Sequence, residues 1–207
     1  SQSYDEKYLF SQFIKAKHRI IPIMYTENYD GAENRYKDAK YDIIYIGSDN
    51  VNNQKSIKWF FDFVYPTLSP QLSICIIGLI CNHIPDYPNV EKHIFISDLN
   101  EFYKNAKIAI CPMLEGTGIK VKVVEAMSFG LPIVCTLRGV DGLPVKENSG
   151  CLLGNDVDEF THQVNKLLTD EECYKETSGN AAKTFKSFFT TSQCYRYLDT
   201  IFEIHHA

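Results

Sequence analysis

The chain has 207 residues, 44% hydrophobic and 23% charged, with a formal net charge of -5. That length supports one substantial core with a small appendage and is short for two full α/β domains. No run of about 18 apolar residues offers a membrane span. The acidic balance excludes the broad basic footprint of a nucleic-acid binder, while leaving room for a local basic pocket that holds phosphate. The seven cysteines are scattered without a C-x-x-C pair, and several sit in apolar runs such as SICIIG and IVCTL. They predict buried, reduced thiols and a cytoplasmic location, with no disulfide or metal role. The opening SQSYDEKYLF is neither an initiating Met nor a signal peptide and reads as the start of an excised fragment.

In chain order, residues 4–18 carry Tyr8, Leu9, Phe13 and Ile14 at helical spacing, followed by an extended run at 20–24 and a polar linker at 26–40. A regular alternation then begins. Strands are predicted at 41–46, 72–77, 93–96, 108–111 and 132–136, with a further one at 150–153. Between them fall helices at 53–65, stopped by Pro66, at 98–105 with Ser97 as N-cap, and at 120–129, ended by Gly130; two more follow at 156–168 and 171–188. Short β-branched strands alternating with amphipathic helices predict a doubly wound, Rossmann-like parallel sheet covered on both faces. The division expected is an N-terminal helix, extended segment and linker at 1–39, the α/β domain at 40–190 and a C-terminal helix at 191–207. Tyr195, Leu198, Ile201 and Phe202 form a stripe on that last helix that reads as core or docking surface.

Ligands of such a sheet bind beyond the carboxyl ends of the strands. The stretch that follows the fourth strand is P-M-L-E-G-T-G-I-K-V-K-V-V-E-A-M-S-F-G-L-P-I-V, Pro112 to Val134. Gly116 and Gly118 allow close backbone approach to a ligand just before a helix whose free N–H groups and positive dipole end favour an anion. Lys120 stands at that helix entrance, where a cation opposes the dipole and therefore points to a phosphate between them. Lys122, two residues on, is expected to turn away from Lys120. Glu125 lies on the same helix, where a carboxylate can accept both hydroxyls of a ribose.

This stretch, from Gly116 to Val134, resembles the signature of the nucleotide-binding C-terminal half of retaining glycosyltransferases with the GT-B fold, a group that includes hexosyl and mannosyl transferases. The resemblance continues through I-G-S-D-N-V-N-N (Ile46 to Asn53), Trp59-Phe60, Y-P-T-L (Tyr65 to Leu68), F-I-S-D-L-x-E-F-Y (Phe95 to Tyr103) and the run around Ile108 to Met113. It implies that Glu125 is the second glutamate of the family's E-x7-E motif and holds the ribose. The first glutamate should fall at Thr117, with Glu115 two residues away, so the usual sugar contact departs from the pattern. The resemblance further implies that Gly47 and Ser48 lie against the donor phosphates, that Ile96 and Ser97 read the base edge, and that Thr117 and Ile119 belong with the glycine loop. Lys120 and Glu125 are the candidate catalytic residues.

The function so implied is retaining transfer from a nucleoside-diphosphate sugar, of UDP or GDP type, in polysaccharide biosynthesis. No cofactor or metal is expected. The partner is an absent N-terminal half that brings the acceptor and permits peripheral membrane association, so the fragment is expected to bind and not turn over. A nucleotide-sugar epimerase of the same fold and a non-catalytic binding module are the alternatives, the latter fed by Thr117. A dehydrogenase is disfavoured because the glycines follow a late strand rather than the first. His83, His93, His205 and His206 lack partners at metal spacing.

Overall fold

The computed structural model describes residues 3–16, 18–21, 23–29, 31 and 35–202. Six strands, β1 (Tyr41–Ile46), β2 (Ile74–Ile77), β3 (Val90–His93), β4 (Ala106–Cys111), β5 (Ile133–Cys135) and β6 (Cys151–Leu153), form one sheet. All neighbours are parallel, in the order β3-β2-β1-β4-β5-β6. The chain therefore builds outward from the centre to one edge, returns, and builds to the other. The reversal lies between β1 and β4, as in a doubly wound Rossmann-like sheet.

Central strands of such a sheet are apolar on both faces, and two cores result. On one face Ile43, Tyr45, Ile76 and Ile108 pack with Ile57 of α3 (Val51–Trp59) and with Phe160, Val164 and Leu167 of α6 (Val157–Thr169). On the other, Ile44, Ala109 and Ile133 pack with Tyr103 of α4 (Asn100–Lys104), Val123 and Met127 of α5 (Val121–Ser128) and Phe185 of α7 (Glu171–Phe188). Asp156 and Asp170 cap α6 and α7, accepting from the N–H groups of Glu159 and Cys173.

Three local expectations are corrected. The third strand is Val90–His93, three residues earlier than predicted, paired in register with β2. It is an edge strand, so half-exposed Glu91 and Lys92 are tolerated in it, whereas the apolar pair that suggested a strand, Ile94 and Phe95, is 53% and 83% exposed. Ser97 does not cap α4: Leu99 holds that position without a side-chain cap, and Asp98 accepts from the N–H of Asn100. The helix after β1 starts at Val51, capped by Asn50, and becomes a π turn at Phe60–Val64 and a 3-10 turn at Tyr65–Thr67 around Pro66.

Helix α1 (Tyr4–Phe13) is capped by Ser3, which accepts from the Glu6 N–H, and ends five residues short of the predicted boundary. The segment after it is laid along the α/β unit. Tyr25 N–H donates to the Phe189 carbonyl, Asn28 N–H to that of Ser128, and the Arg35 guanidinium, in the short α2 (Arg35–Asp38), to that of Phe129. In α8 (Thr191–Phe202), Leu198 and Ile201 are half-buried while Tyr195 and Phe202 are exposed. All seven cysteines are free thiols, and all but Cys173 are buried. Among the described residues no helix is long and apolar enough to cross a membrane. His205 and His206 lie outside the described residues.

Candidate functional site

At the reversal between β1 and β4, the loops leaving the carboxyl ends of the two strands diverge around a cavity of about 700 Å³. Gly47, Ser48 and Asn53 line it from the β1 side; Gly116, Thr117, Ile119, Lys120, Lys122 and Glu125 line it from the loop after β4 and from α5. A second cavity of about 480 Å³ is walled by Tyr25, Ile96, Ser97, Asp98, Asn100 and Ser128. Glu125 borders both. The structure thus gathers the predicted residues into two adjoining spaces that meet at one carboxylate. Gly118 alone does not line either.

The glycine loop is conformationally demanding. Gly116 and Gly118 have φ of 98° and 73°, in the left-handed region that side chains disfavour. The loop turns directly into α5, whose first N–H groups have no preceding helical turn to accept from them. They and the helix dipole present partial positive charge to the larger cavity.

The two lysines are oriented differently from expectation. Lys120 occupies the cap position of α5 with an extended backbone, φ -90° and ψ 106°, and its Nζ folds back onto the Gly118 carbonyl at 2.7 Å. Burial lowers its pKa, an effect opposed by Asp141 and by Asp5 of α1. Because Lys120 lies outside the helix, the angular argument that turned Lys122 away does not apply, and Lys122 faces the same cavity. Its Nζ donates to Asn53 Oδ1 at 2.8 Å and to Tyr45 Oη at 3.0 Å, and stands 4.2 Å from the centre of the Tyr45 ring. Asn53 in turn donates from Nδ2 to the Ser48 carbonyl at 2.9 Å and to Ser48 Oγ at 3.2 Å. The expectation passed over this network. Its one legible signal was a Lys in V-K-V-V, directly before Val123 and Val124, which proved to be core, and after Val121, which is exposed.

Glu125 Oε2 accepts from Tyr103 Oη at 3.0 Å, which fixes the carboxylate of the residue that borders both cavities. Desolvation raises its pKa, and the Tyr103 hydrogen bond partly offsets that. Ile96 and Ser97 sit in the loop between β3 and α4, where they wall the smaller cavity. Thr117 is exposed on the larger cavity, whereas Glu115 points elsewhere, into an exposed ion pair with Lys55 at 2.6 Å. Among the described residues no three His, Cys, Asp or Glu side chains converge as a metal cluster would. His83 and His93 each pair with one carboxylate, Asp49 and Glu91.

The family model described as glycosyl transferases group 1 matches residues 40–170, which contain every residue named for the two cavities from Gly47 to Ser128. The chain belongs to this family. Among curated relatives, an uncharacterized 44.6 kDa protein in the cps region of Klebsiella pneumoniae is 25% identical over 179 residues, covering 78% of this chain and 45% of its own length. The chain thus spans less than half of that relative. Two solved structures share the GT-B fold. Anabaena Alr3699/HepE, in complex with UDP and glucose, superposes with a TM-score of 0.77 at 14% identity, over 99% of this chain and 62% of that one. Sucrose-phosphate synthase from Thermosynechococcus elongatus superposes with a TM-score of 0.73 at 18% identity, over 96% and 55%. Membership in the glycosyl transferases group 1 family makes this a glycosyltransferase domain, with its paired cavities at the switch point of the sheet.

Proposed function

We propose that the domain binds a nucleoside-diphosphate sugar across the two cavities and that, with the remainder of a longer protein, it transfers the sugar with retention of anomeric configuration. The observation that carries this reading is the position of Glu125 between the two spaces. Ribose hydroxyls on Glu125 Oε1 direct the base toward Ile96 and Ser97 and the diphosphate toward Gly47, Ser48 and the entrance of α5. When the bond from the sugar to the diphosphate breaks, negative charge grows on the leaving group. The N–H groups at Ile119 and beyond, with the helix dipole, oppose that charge without reorganising, and no metal is required of them. Acceptor and further catalytic groups are assigned to the remainder of that longer protein, and the location to the cytoplasm.

Support comes from the family and from a fold neighbour whose structure holds UDP and glucose. Thr117, where the family's first glutamate is expected, favours one alternative, a binding module without transfer. A thermal-shift panel of UDP, GDP, their sugars and the matching nucleosides tests the reading. The diphosphates should raise the melting temperature well beyond the nucleosides; equal shifts, or none, would refute it.

A further inference from the structure

Lys122 poses a question that the nucleotide reading leaves open. Its ammonium has three donors, and two are engaged, by Tyr45 Oη and Asn53 Oδ1. Both acceptors are neutral. Among the described residues no carboxylate pairs with it, and the groups that face it electrostatically are Cys111, Lys120 and Cys135; the Cys111 thiol is lowered in pKa by its hydrogen bond with Cys135 and, in smaller part, by Lys122. Burial lowers its pKa, the direction expected of a cation held without a counter-charge. A buried, unneutralised cation costs stability, yet this one is gripped on two sides and stands on the wall of the 700 Å³ cavity. Lys120, by contrast, has its Nζ turned onto its own loop.

We infer that Lys122, held by Tyr45 and Asn53 and aimed with its third N–H into the cavity, is the cation that binds the diphosphate of the donor. The inference rests on the nucleotide-sugar reading and sharpens it by moving the role from Lys120 to Lys122. Asn53 and Tyr45 are positioning residues. Through Asn53 the ammonium is tied to the Ser48 carbonyl and hydroxyl. The Gly47-Ser48 turn and the cation are therefore set as one unit, and a ligand that reaches either meets both. A bound anion would supply a counter-charge, so the cost of burying the cation becomes binding selectivity for charged ligands.

The test is calorimetry and thermal melting on the wild type, Lys122→Met, Lys122→Arg and Tyr45→Phe, each with UDP, GDP, uridine and guanosine. Lys122→Met should melt at or above the wild-type temperature without ligand, because an unneutralised charge is gone. It should bind the preferred diphosphate about ten- to a hundredfold more weakly and the matching nucleoside unchanged. Lys122→Arg should recover part of the diphosphate affinity, and Tyr45→Phe should lose a smaller part, again only for the diphosphate. Three outcomes overturn the inference: wild-type diphosphate affinity in Lys122→Met, equal losses for diphosphate and nucleoside, or a lowered melting temperature in the empty variant, which would make Lys122 a structural strut. Failure of the wild type to bind either diphosphate would remove the parent reading as well.

Discussion

Replacing Glu125 by Gln tests the ribose contact with little disturbance of shape. In the wild type Oε2 is engaged by Tyr103 at 3.0 Å, so one oxygen, Oε1, remains for a ligand. A Gln amide can keep its carbonyl on the Tyr103 hydroxyl but then presents an N–H₂ group where the ligand needs an acceptor. The expected loss is therefore one charge-assisted hydrogen bond, about 1.5 to 3 kcal/mol, or roughly ten- to a hundredfold in affinity. It should appear equally for a nucleoside diphosphate and its nucleoside, since both carry the ribose. The variant should also discriminate poorly between ribose and 2′-deoxyribose ligands. Titration calorimetry on wild type and variant, with circular dichroism to verify folding, measures each quantity. A Glu125→Gln protein that still prefers ribose as strongly as the wild type would refute the assignment.

The same substitution should change the pH dependence of stability. Desolvation raises the folded-state pKa of Glu125 above its ordinary 4.5, so between the unfolded and folded values the native state binds more protons. The group's contribution therefore declines as pH rises through that window, and the wild-type stability relative to Glu125→Gln, followed by urea melts, should fall from below pH 4.5 to neutrality; a rise would contradict the burial argument. Gly116→Ala, at φ 98° and with a new Cβ 3.1 Å from Asn52 Nδ2, should cost about 1 kcal/mol or more in denaturant unfolding. A neutral result would mean that the loop relaxes freely. Lys120→Ala should weaken diphosphate binding less than Lys122→Met does, because the Lys120 ammonium is turned onto the Gly118 carbonyl; the reverse order in calorimetry would restore the assignment to Lys120. The chain by itself should bind a nucleotide sugar and transfer nothing to an acceptor, and robust transfer in a radiolabel assay would show that the site is complete within these 207 residues.

Much of the fold was legible because burial on both faces leaves an unambiguous signature. The runs Tyr41–Ile46 and Ala106–Cys111 are apolar except for Asp42 and Lys107 near their starts, which pair with each other at 2.8 Å, and both are central strands. Legibility failed at the edge. Val90–His93 has only one covered flank, so its residues V-E-K-H carry no apolar pattern, while exposed Ile94 and Phe95 mimic one. In the site, the glycine loop and Glu125 were readable because backbone conformation and a carboxylate on a helix leave marks in a single short segment. Lys122 was misjudged for a local reason: the helix begins one residue after Lys120, so spacing within the helix says nothing about the angle between the two side chains. The partners that define Lys122, Tyr45 and Asn53, lie 77 and 69 residues away in sequence. Only the pairing of β1 with β4 brings them together.

A crystal structure of the chain with UDP-glucose or, if the thermal-shift panel prefers it, a GDP-sugar would show directly how the two cavities are filled. Ribose hydroxyls should lie on the Glu125 carboxylate, the base against Ile96 and Ser97, and the diphosphate between the entrance of α5, the Gly47-Ser48 turn and Lys122 Nζ. A nucleotide bound in the opposite sense, with its base in the larger cavity, or bound away from Glu125 altogether, would contradict this placement.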